Sequence, residues 1–300
     1  MNASLPDTVR VQARAKVNLF LRVLGRRPDG YHELETLIVP LDLADSLEIH
    51  AHSDPSQFRT LALSLEVTGD PDRVRGVPMD ESNLVVRAAR ALAEAGGVRG
   101  FADITLEKRI PAAAGLGGGS ADAAATLRTL NELWGCELDE DALRDVAASV
   151  GSDVPALLSG GAVVASGRGE RVEPVSAPTM GFALVPFPFG VSSADAFRWW
   201  DEEGGSTGPD PGEALSAARE GRIEDLARVL YNDLEEVVMR RFPTVRKARE
   251  RVLQAGATAV VMCGSGPTLA ALIRSDEGFD LPTGLGAIVT HTVDPPEEET

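Results

Sequence analysis

The sequence predicts a mixed α/β protein in two domains. Three observations lead there. Strand-like alternation and helical apolar stripes follow one another along the chain. The 300 residues are long for one hydrophobic core and usual for two, with enough chain to bury roughly three quarters of the unfolded surface. The pattern also changes character around residues 166–180, which separates an N-terminal domain, 1–165, from a C-terminal one, 166–300.

Val9, Val11, Ala13 and Ala15 alternate with polar residues, and VNLFLRVLG continues extended to Gly25, so the chain opens with strands. Lys16 and Asn18 lie between these apolar stretches. RRPDGYHE, residues 26–33, is a turn by its Pro-Asp-Gly, followed by the strand-like ETLIVPLDL and SLEIHAH. Tyr31 and His32 come directly after the turn, where an aromatic either caps the sheet or stacks on a ligand. LALSLEV alternates as a strand, whereas GDPDRVRGVPMDES reads as irregular. A helix follows, capped by Ser82 or Asp80, with Leu84, Val85, Ala88, Ala89 and Leu92 as its stripe and Gly96 and Gly97 as its stop.

FADITLEKRIP reads as a strand with Lys108 near its end. The stretch it feeds, PAAAGLGGGSADAAATLRTLN at Pro111–Asn131, is glycine-rich at Gly115–Gly119, reaches Ser120 and continues with leucines at helical spacing. A loop delivering into a helix N-terminus binds anions, because first-turn N–H groups lack intrahelical partners and the peptide dipoles add partial positive charge. Glycines let backbone approach a phosphate closely. A P-loop would need Gly-Lys-Ser/Thr, and the dinucleotide fingerprint fits poorly because GLGGGS ends in Ser120. The competing reading is a glycine hinge before a packed helix.

A second helix, 139–150, turns Leu143, Val146, Ala147 and Val150 inward. Gly151–Pro155 breaks it, and Asp153 there is either a turn former or cap, or a carboxylate with a chemical task. SGGAVVASGRGE and GFALVPF read as strands, and GVSSADAFRWWDEE as a loop and capped helix carrying Phe197, Trp199 and Trp200. GGSTGPDPGE at 204–213 reads as a flexible connection, and residues 214–255 as helical. TAVVMCGSGPTLAALI makes two strands about a tight Gly264-Ser265-Gly266-Pro267 turn. GAIVTHTV is a last strand before an acidic tail, DPPEEET, expected to be disordered.

The formal net charge of −17 argues against nucleic acid and anionic membrane as partners, since both need a basic face. An anionic ligand must then be met by local amides, lysines or a metal. Lys16, Lys108 and Lys247 are the lysines of the chain, so one beside a candidate site stands out. Cys136 and Cys263 show no CxxC spacing and the four histidines are scattered, which predicts neither a disulfide nor a zinc site. MNASLPDTVRV lacks the apolar core of a signal peptide, and no apolar run of about 18 residues occurs, so a cytoplasmic protein is expected.

Three separated motifs resemble the GHMP kinases: AKVNLFLRVLGRRPDGYHELET at Ala15–Thr36, PAAAGLGGGSADAAA at Pro111–Ala125, and CGSGPTLAAL at Cys263–Leu272. NLVVRAARAL, GSDVPALL, GVSSADAF and NDLEEVV fall between them in the family's order, so the resemblance covers nearly the whole chain. The first motif points to the branch that phosphorylates a cytidine-diphosphate-linked methylerythritol in non-mevalonate isoprenoid synthesis. The resemblance implies an N-terminal ATP domain of the ribosomal-protein-S5-domain-2-like kind and a ferredoxin-like C-terminal substrate domain.

By the same resemblance, Pro111, Ala112, Ala113, Ala114, Gly115, Leu116, Gly117, Gly118, Gly119, Ser120 and Ala121 wrap the ATP phosphates, and Asn83 and Lys108 line the adenosine pocket. Asp153 matches the catalytic aspartate and Lys16 the lysine paired with it. Tyr31 and Phe197 match the aromatics that sandwich the cytosine, His32 the residue that reads its edge, and Asn18 a residue near the methylerythritol hydroxyls. Gly264, Ser265 and Gly266 close the site near the acceptor. Magnesium is expected with ATP, with Ser120 as a ligand, an assignment that rests on less than the others. A monomer or weak homodimer is expected. Homoserine-type or mevalonate-type kinases are rivals, but a small acceptor needs no base sandwich; a nucleotide-binding regulator without chemistry is a rival of another class, opposed by the retention of Lys16 and Asp153.

Overall fold

Two long strands carry the first part of the chain, β1 (Thr8–Arg26) and β2 (His32–Ser53), joined at the Pro-Asp-Gly turn. The sequence reads β2 as two strand pieces, but the backbone stays extended through Pro40. The computed structural model describes residues 8–273 and 282–293, so the acidic tail and the first seven residues lie outside the described residues. The chain falls into two compact units. The first takes the chain through Ala15, then Ala44–Ala112 and Gly118–Leu158; the second takes Lys16–Leu43, Ala113–Gly117 and the chain from Ser159. β1 and β2 each run from one unit into the other, which no change in composition marks.

In the first unit, β3 (Ala62–Gly69) is followed by a short helix, α1 (Pro71–Val74), where the sequence reads irregular. Asp70 makes that turn possible, accepting from the N–H of Asp72 with proline at the start. α2 (Leu84–Gly96) follows, then β4 (Gly100–Lys108), α3 (Gly118–Leu133), α4 (Glu140–Val150) and α5 (Val154–Leu158). The cap of α2 is Asn83 rather than Ser82 or Asp80: its Oδ1 accepts from Val85 N, while Asp80 instead closes a turn onto Ser82. Gly97 ends α2 in the left-handed conformation, at φ 64°.

β4 pairs antiparallel with the far end of β2, Ser46 opposite Glu107 through Ser53 opposite Gly100, and β3 lies parallel to β4. The apolar face of this sheet, with Leu47, Ile49 and Leu106, packs on Val85 and Leu92 of α2 and Leu127 and Leu130 of α3, all fully buried. Period-two alternation in the strands and 3.6-residue spacing in the helices place those side chains on one side each.

The second unit adds β5 (Val163–Gly167), β6 (Arg171–Pro174), β7 (Gly181–Val185), α6 (Ser193–Glu202), α7 (Gly212–Arg219), α8 (Ile223–Val229), β8 (Tyr231–Asn232), α9 (Glu235–Arg241), α10 (Pro243–Gln254), β9 (Ala259–Met262), β10 (Leu269–Ile273) and β11 (Ile288–His291). β5 pairs with the start of β2 and with β6. A separate antiparallel sheet runs in the order β11-β7-β10-β9, and its face buries Val185, Val260 and Leu269 against Val238, Val245 and Val252 of α9 and α10. Residues 231–232 read as helical but pair with β1 as a parallel strand, Phe20 opposite Tyr231. Two residues carry no periodicity, so only the tertiary partner selects the strand. Among the described residues no helix is long and apolar enough to cross a membrane.

The stretch expected to be a flexible connection is pinned. Asp233 Oδ2 accepts from both Val23 N at 2.7 Å and Gly208 N at 3.0 Å, and Thr207 Oγ1 donates to Val23 O at 2.8 Å. One carboxylate thus ties the loop to β1. Asp233→Ala strands two N–H donors, and the expected loss is about 1–3 kcal/mol in urea unfolding, together with faster proteolysis within residues 204–210; unchanged cleavage there would contradict the anchoring.

Candidate active site

Lys16 is 3% exposed in β1, where alternation turns it toward the interior with Asn18. Its ammonium donates to Asn18 Oδ1 at 2.7 Å, Asn18 Nδ2 donates to Thr36 Oγ1 at 2.8 Å, and Thr36 Oγ1 donates to Phe20 O at 2.6 Å. That relay fixes the lysine by bonds to two strands. Lys16 N also donates to Leu116 O at 2.9 Å, which draws the glycine-rich loop onto β1.

Within the second unit, residues 113–117 meet the turn after β9. Gly115 has φ 78° and Gly117 φ 71°, and a Cβ on Gly115 would lie 1.9 Å from the carbonyl oxygen of Cys263. A Cβ on Gly264 would lie 2.9 Å from Lys16 Nζ and 3.0 Å from Gly115 O. Two glycine turns and one lysine therefore share a space with no room for side chains at either glycine. Asn232 clamps the second turn, donating from Nδ2 to Met262 O and Gly264 O while Oδ1 accepts from Leu234 N. Ser265 is half-buried and takes a 3.2 Å bond from the Ser193 hydroxyl. Ala113 stands at φ 51°, an unusual conformation for a residue with a Cβ.

In the first unit the helix α3 starts at Gly118, so Gly118, Gly119 and Ser120 form its first turn rather than a loop before it. Ala121 is buried, Ser120 half-buried and Gly119 exposed. Beneath Gly118 lies a buried ion triad: Lys108, 4% exposed, is bound by the carboxylates of Asp45 and Asp122. A Cβ on Gly118 would stand 3.4 Å from the Lys108 ammonium. Asp45 also accepts from the N–H groups of Arg109 and Ile110, fixing the exit from β4. Burial pushes the Asp122 carboxyl up to about 7 although Lys108 pulls it down. Burial opposes the Lys108 charge too, but Asp122 and Asp45 outweigh it and hold that group above its usual value. Two carboxylates share one ammonium, and the Asp122 charge is the costly one.

Asn83, 6% exposed, is satisfied as a cap and by donating to Pro78 O at 2.6 Å. Asp153 is half-buried immediately before α5, and its carbonyl accepts from Leu157 N. On the second unit, Tyr31 is 52% exposed with the Arg168 guanidinium 4.7 Å from its ring centre. His32 stacks on Phe197, centroids 4.7 Å apart, with Nε2 at 2.9 Å from Asp201 Oδ1. The two rings expected to flank a base, Tyr31 and Phe197, are not stacked on each other.

The sequence family described as GHMP kinases N terminal domain matches residues 83–161, and GHMP kinases C terminal matches residues 214–280. A 4-diphosphocytidyl-2-C-methyl-D-erythritol kinase from Pelotomaculum thermopropionicum is 44% identical over 261 residues, 86% of either chain. The chain belongs to this family of GHMP kinases. A crystal structure of 4-(cytidine 5'-diphospho)-2C-methyl-D-erythritol kinase superposes with a TM-score of 0.76 at 34% identity, covering 95% of this chain and all of that one. Homoserine kinase from Cytophaga hutchinsonii, at 20% identity and a TM-score of 0.67 over 98% of this chain and 97% of that one, shares the fold.

Several residues of these side-chain groups, in one unit or the other, escaped the sequence reading. Asp122 lies inside the glycine motif, yet nothing local distinguishes it from a solvated helix residue. Asp45, Thr36, Asn232 and Asp201 join their partners from 16 to 169 residues away in sequence, which spacing does not show. Membership of NDLEEVV in the family order was the signal available for Asn232.

Gly115→Ala is expected to destabilise the protein and abolish activity, because its methyl would occupy the Cys263 carbonyl. Gly119→Ala meets only ordinary contact, at 3.5 Å from Leu84, and gains helix propensity of about 1 kcal/mol. Equal melting temperatures for the two variants would refute the contact. Asp122 has a folded pKa above its unfolded value, so its stabilising contribution is full below about pH 4 and is lost as pH rises through about 7. Asp122→Asn, compared by urea unfolding from pH 5 to 8, should gain on the native protein as pH rises; parallel profiles would remove this assignment.

Proposed function

We propose that the protein transfers the γ-phosphoryl group of ATP to the 2-hydroxyl of 4-diphosphocytidyl-2-C-methyl-D-erythritol, giving ADP and the 2-phosphate, in the non-mevalonate route to isoprenoid precursors. The observation that carries this reading is the aromatic group of the second unit. An exposed Tyr31, next to His32 in sequence, and Phe197, stacked on His32, suit a nucleobase, and kinases of small alcohols such as homoserine or mevalonate have no base to hold. Base stacking on such rings is worth about 1–3 kcal/mol per base in nucleic-acid complexes.

The residues present fit ATP. The first turn of α3, a helix of 16 residues, offers amide N–H groups to phosphate oxygens, and left-handed glycines at 115 and 117 precede it in the chain. The N-terminal part of the chain is the ATP domain in this reading and the C-terminal part the substrate domain. Magnesium, when bound with the nucleotide, neutralises charge that develops between the phosphates. Among the described residues no group of three or more His, Cys, Asp or Glu side chains could hold a metal. A magnesium ion bound with ATP would keep water and phosphate oxygens as ligands and take one or two from the protein, of which Ser120 is the proposed one.

The chain's own part in the chemistry is short. Asp153 accepts the proton of the tertiary hydroxyl as its oxygen bonds to phosphorus, because an alcohol is a poor nucleophile at neutral pH. Lys16, held by Asn18, offsets the charge of the transferring group and orients the acceptor. Tyr31 and Phe197 hold the cytosine, His32 meets its edge, and Asn18 lies near the methylerythritol hydroxyls.

Magnesium-dependent ADP release is expected with 4-diphosphocytidyl-2-C-methyl-D-erythritol and not with homoserine, mevalonate or no acceptor. Asp153→Asn should lower kcat by about 10²–10⁴ with ATP affinity nearly intact. Turnover of a small acceptor instead, or a large loss of ATP binding in the variant, would overturn the substrate and the role of Asp153 respectively.

A further inference from the structure

The His32 ring is held on three sides and hydrogen-bonded through one nitrogen. It is 8% exposed, lies parallel to Phe197 at a 17° interplanar angle, and takes the edge of Trp200 at 5.8 Å and 89°. Nε2 lies 2.9 Å from Asp201 Oδ1, and Nδ1 makes no hydrogen bond among the described residues. Phe197, Trp200 and Asp201 all come from α6 at the spacing that puts them on one face. One helix thus supplies the stack, the edge and the hydrogen-bond partner. Arg26 stands 3.9 Å from the other Asp201 oxygen and engages the far side of the same carboxylate.

We infer that Asp201 is a positioning residue that fixes His32 as its Nε2–H tautomer, so that Nδ1 presents a hydrogen-bond acceptor and the protein selects an amino-bearing pyrimidine, cytosine, over uracil. The inference rests on the cytidine reading above. A carboxylate only accepts, so Nε2 must be the nitrogen that carries the proton, and in a neutral imidazole the other nitrogen is then an acceptor. Cytosine presents an amino donor where uracil presents a carbonyl oxygen. Nδ1 accepts from the first and faces the second acceptor to acceptor, leaving two desolvated lone pairs unpaired. Flipping the ring by 180° would put Cε1 where Nε2 lies and break the Asp201 bond.

The test titrates the full-length protein with cytidine diphosphate and with uridine diphosphate, and reads the His32 tautomer from ¹⁵N imidazole shifts assigned with a His32→Gln variant. The native protein is expected to show Nε2–H and to bind cytidine diphosphate about tenfold or more tightly than uridine diphosphate. Asp201→Ala should mix the tautomers and shrink that ratio to about twofold or less, with the effect on the phosphoryl acceptor falling on KM more than on kcat. Asp201→Asn can donate its amide to Nε2, which makes Nδ1 the protonated nitrogen and shifts preference toward uridine diphosphate. It carries the test if the alanine variant does not fold. An unchanged tautomer and an unchanged ratio in a folded Asp201 variant would overturn the role of Asp201. A native protein with Nε2–H but no preference for cytidine diphosphate would instead overturn the cytidine reading.

Discussion

The approach of the Gly115 backbone to the Cys263 carbonyl is the constraint on which the rest of the second unit's site depends. Two turns that sit this close exclude side chains at Gly115 and Gly264, and the loop can reach that position only with glycines in left-handed conformations at 115, 117, 264 and 266. Lys16 is brought to the same place by the alternation of β1 and held there by Asn18. Asn232, from a two-residue strand, holds the second turn from behind. None of these parts is a strong binder alone; each fixes the position of the next.

The chain carries a net charge of −17, and its proposed ligands are anionic, so local electrostatics must oppose the global field. The first turn of α3 shows how. A lysine directly beneath a helix N-terminus opposes the dipole, which favours negative charge there. Asp45 and Asp122 compensate it, and burial biases Asp122 toward its neutral form near pH 7. The triad is then close to neutral, and the amides above it face outward without a strong carboxylate field to repel phosphate. Lys108, expected to line the adenosine pocket, has its ammonium engaged by these two carboxylates.

The aromatic group illustrates a division of labour within one helix. α6 begins at a Ser192 cap and presents Phe197, Trp200 and Asp201 to His32 from one face. Stacking fixes the plane of the imidazole, and the carboxylate fixes which nitrogen is protonated. Tyr31 stands apart, exposed under Arg168.

Most of the regular structure was legible because periodicity is local. The alternation of Val9–Ala15, the stripe of α2, the strand before the glycine loop and the helices after it follow from side-chain direction over a few residues. The family was legible for the same reason: its motifs are contiguous runs with glycines where the backbone needs them. Elements without local periodicity were not. Residues 231–232 became a strand through pairing with β1, and 204–213 is anchored by bonds to Val23, Tyr231 and Asp233. By itself the sequence determined the mixed α/β class, the glycine turns and the identity of Lys16, Asp153, Tyr31 and His32 as candidates. Only the tertiary structure decided that Asp45 and Asp122 share Lys108, that Asn232 braces Gly264 and that Asp201 faces His32, because those partners are set by long-range packing, which brings together side chains that local spacing leaves unrelated.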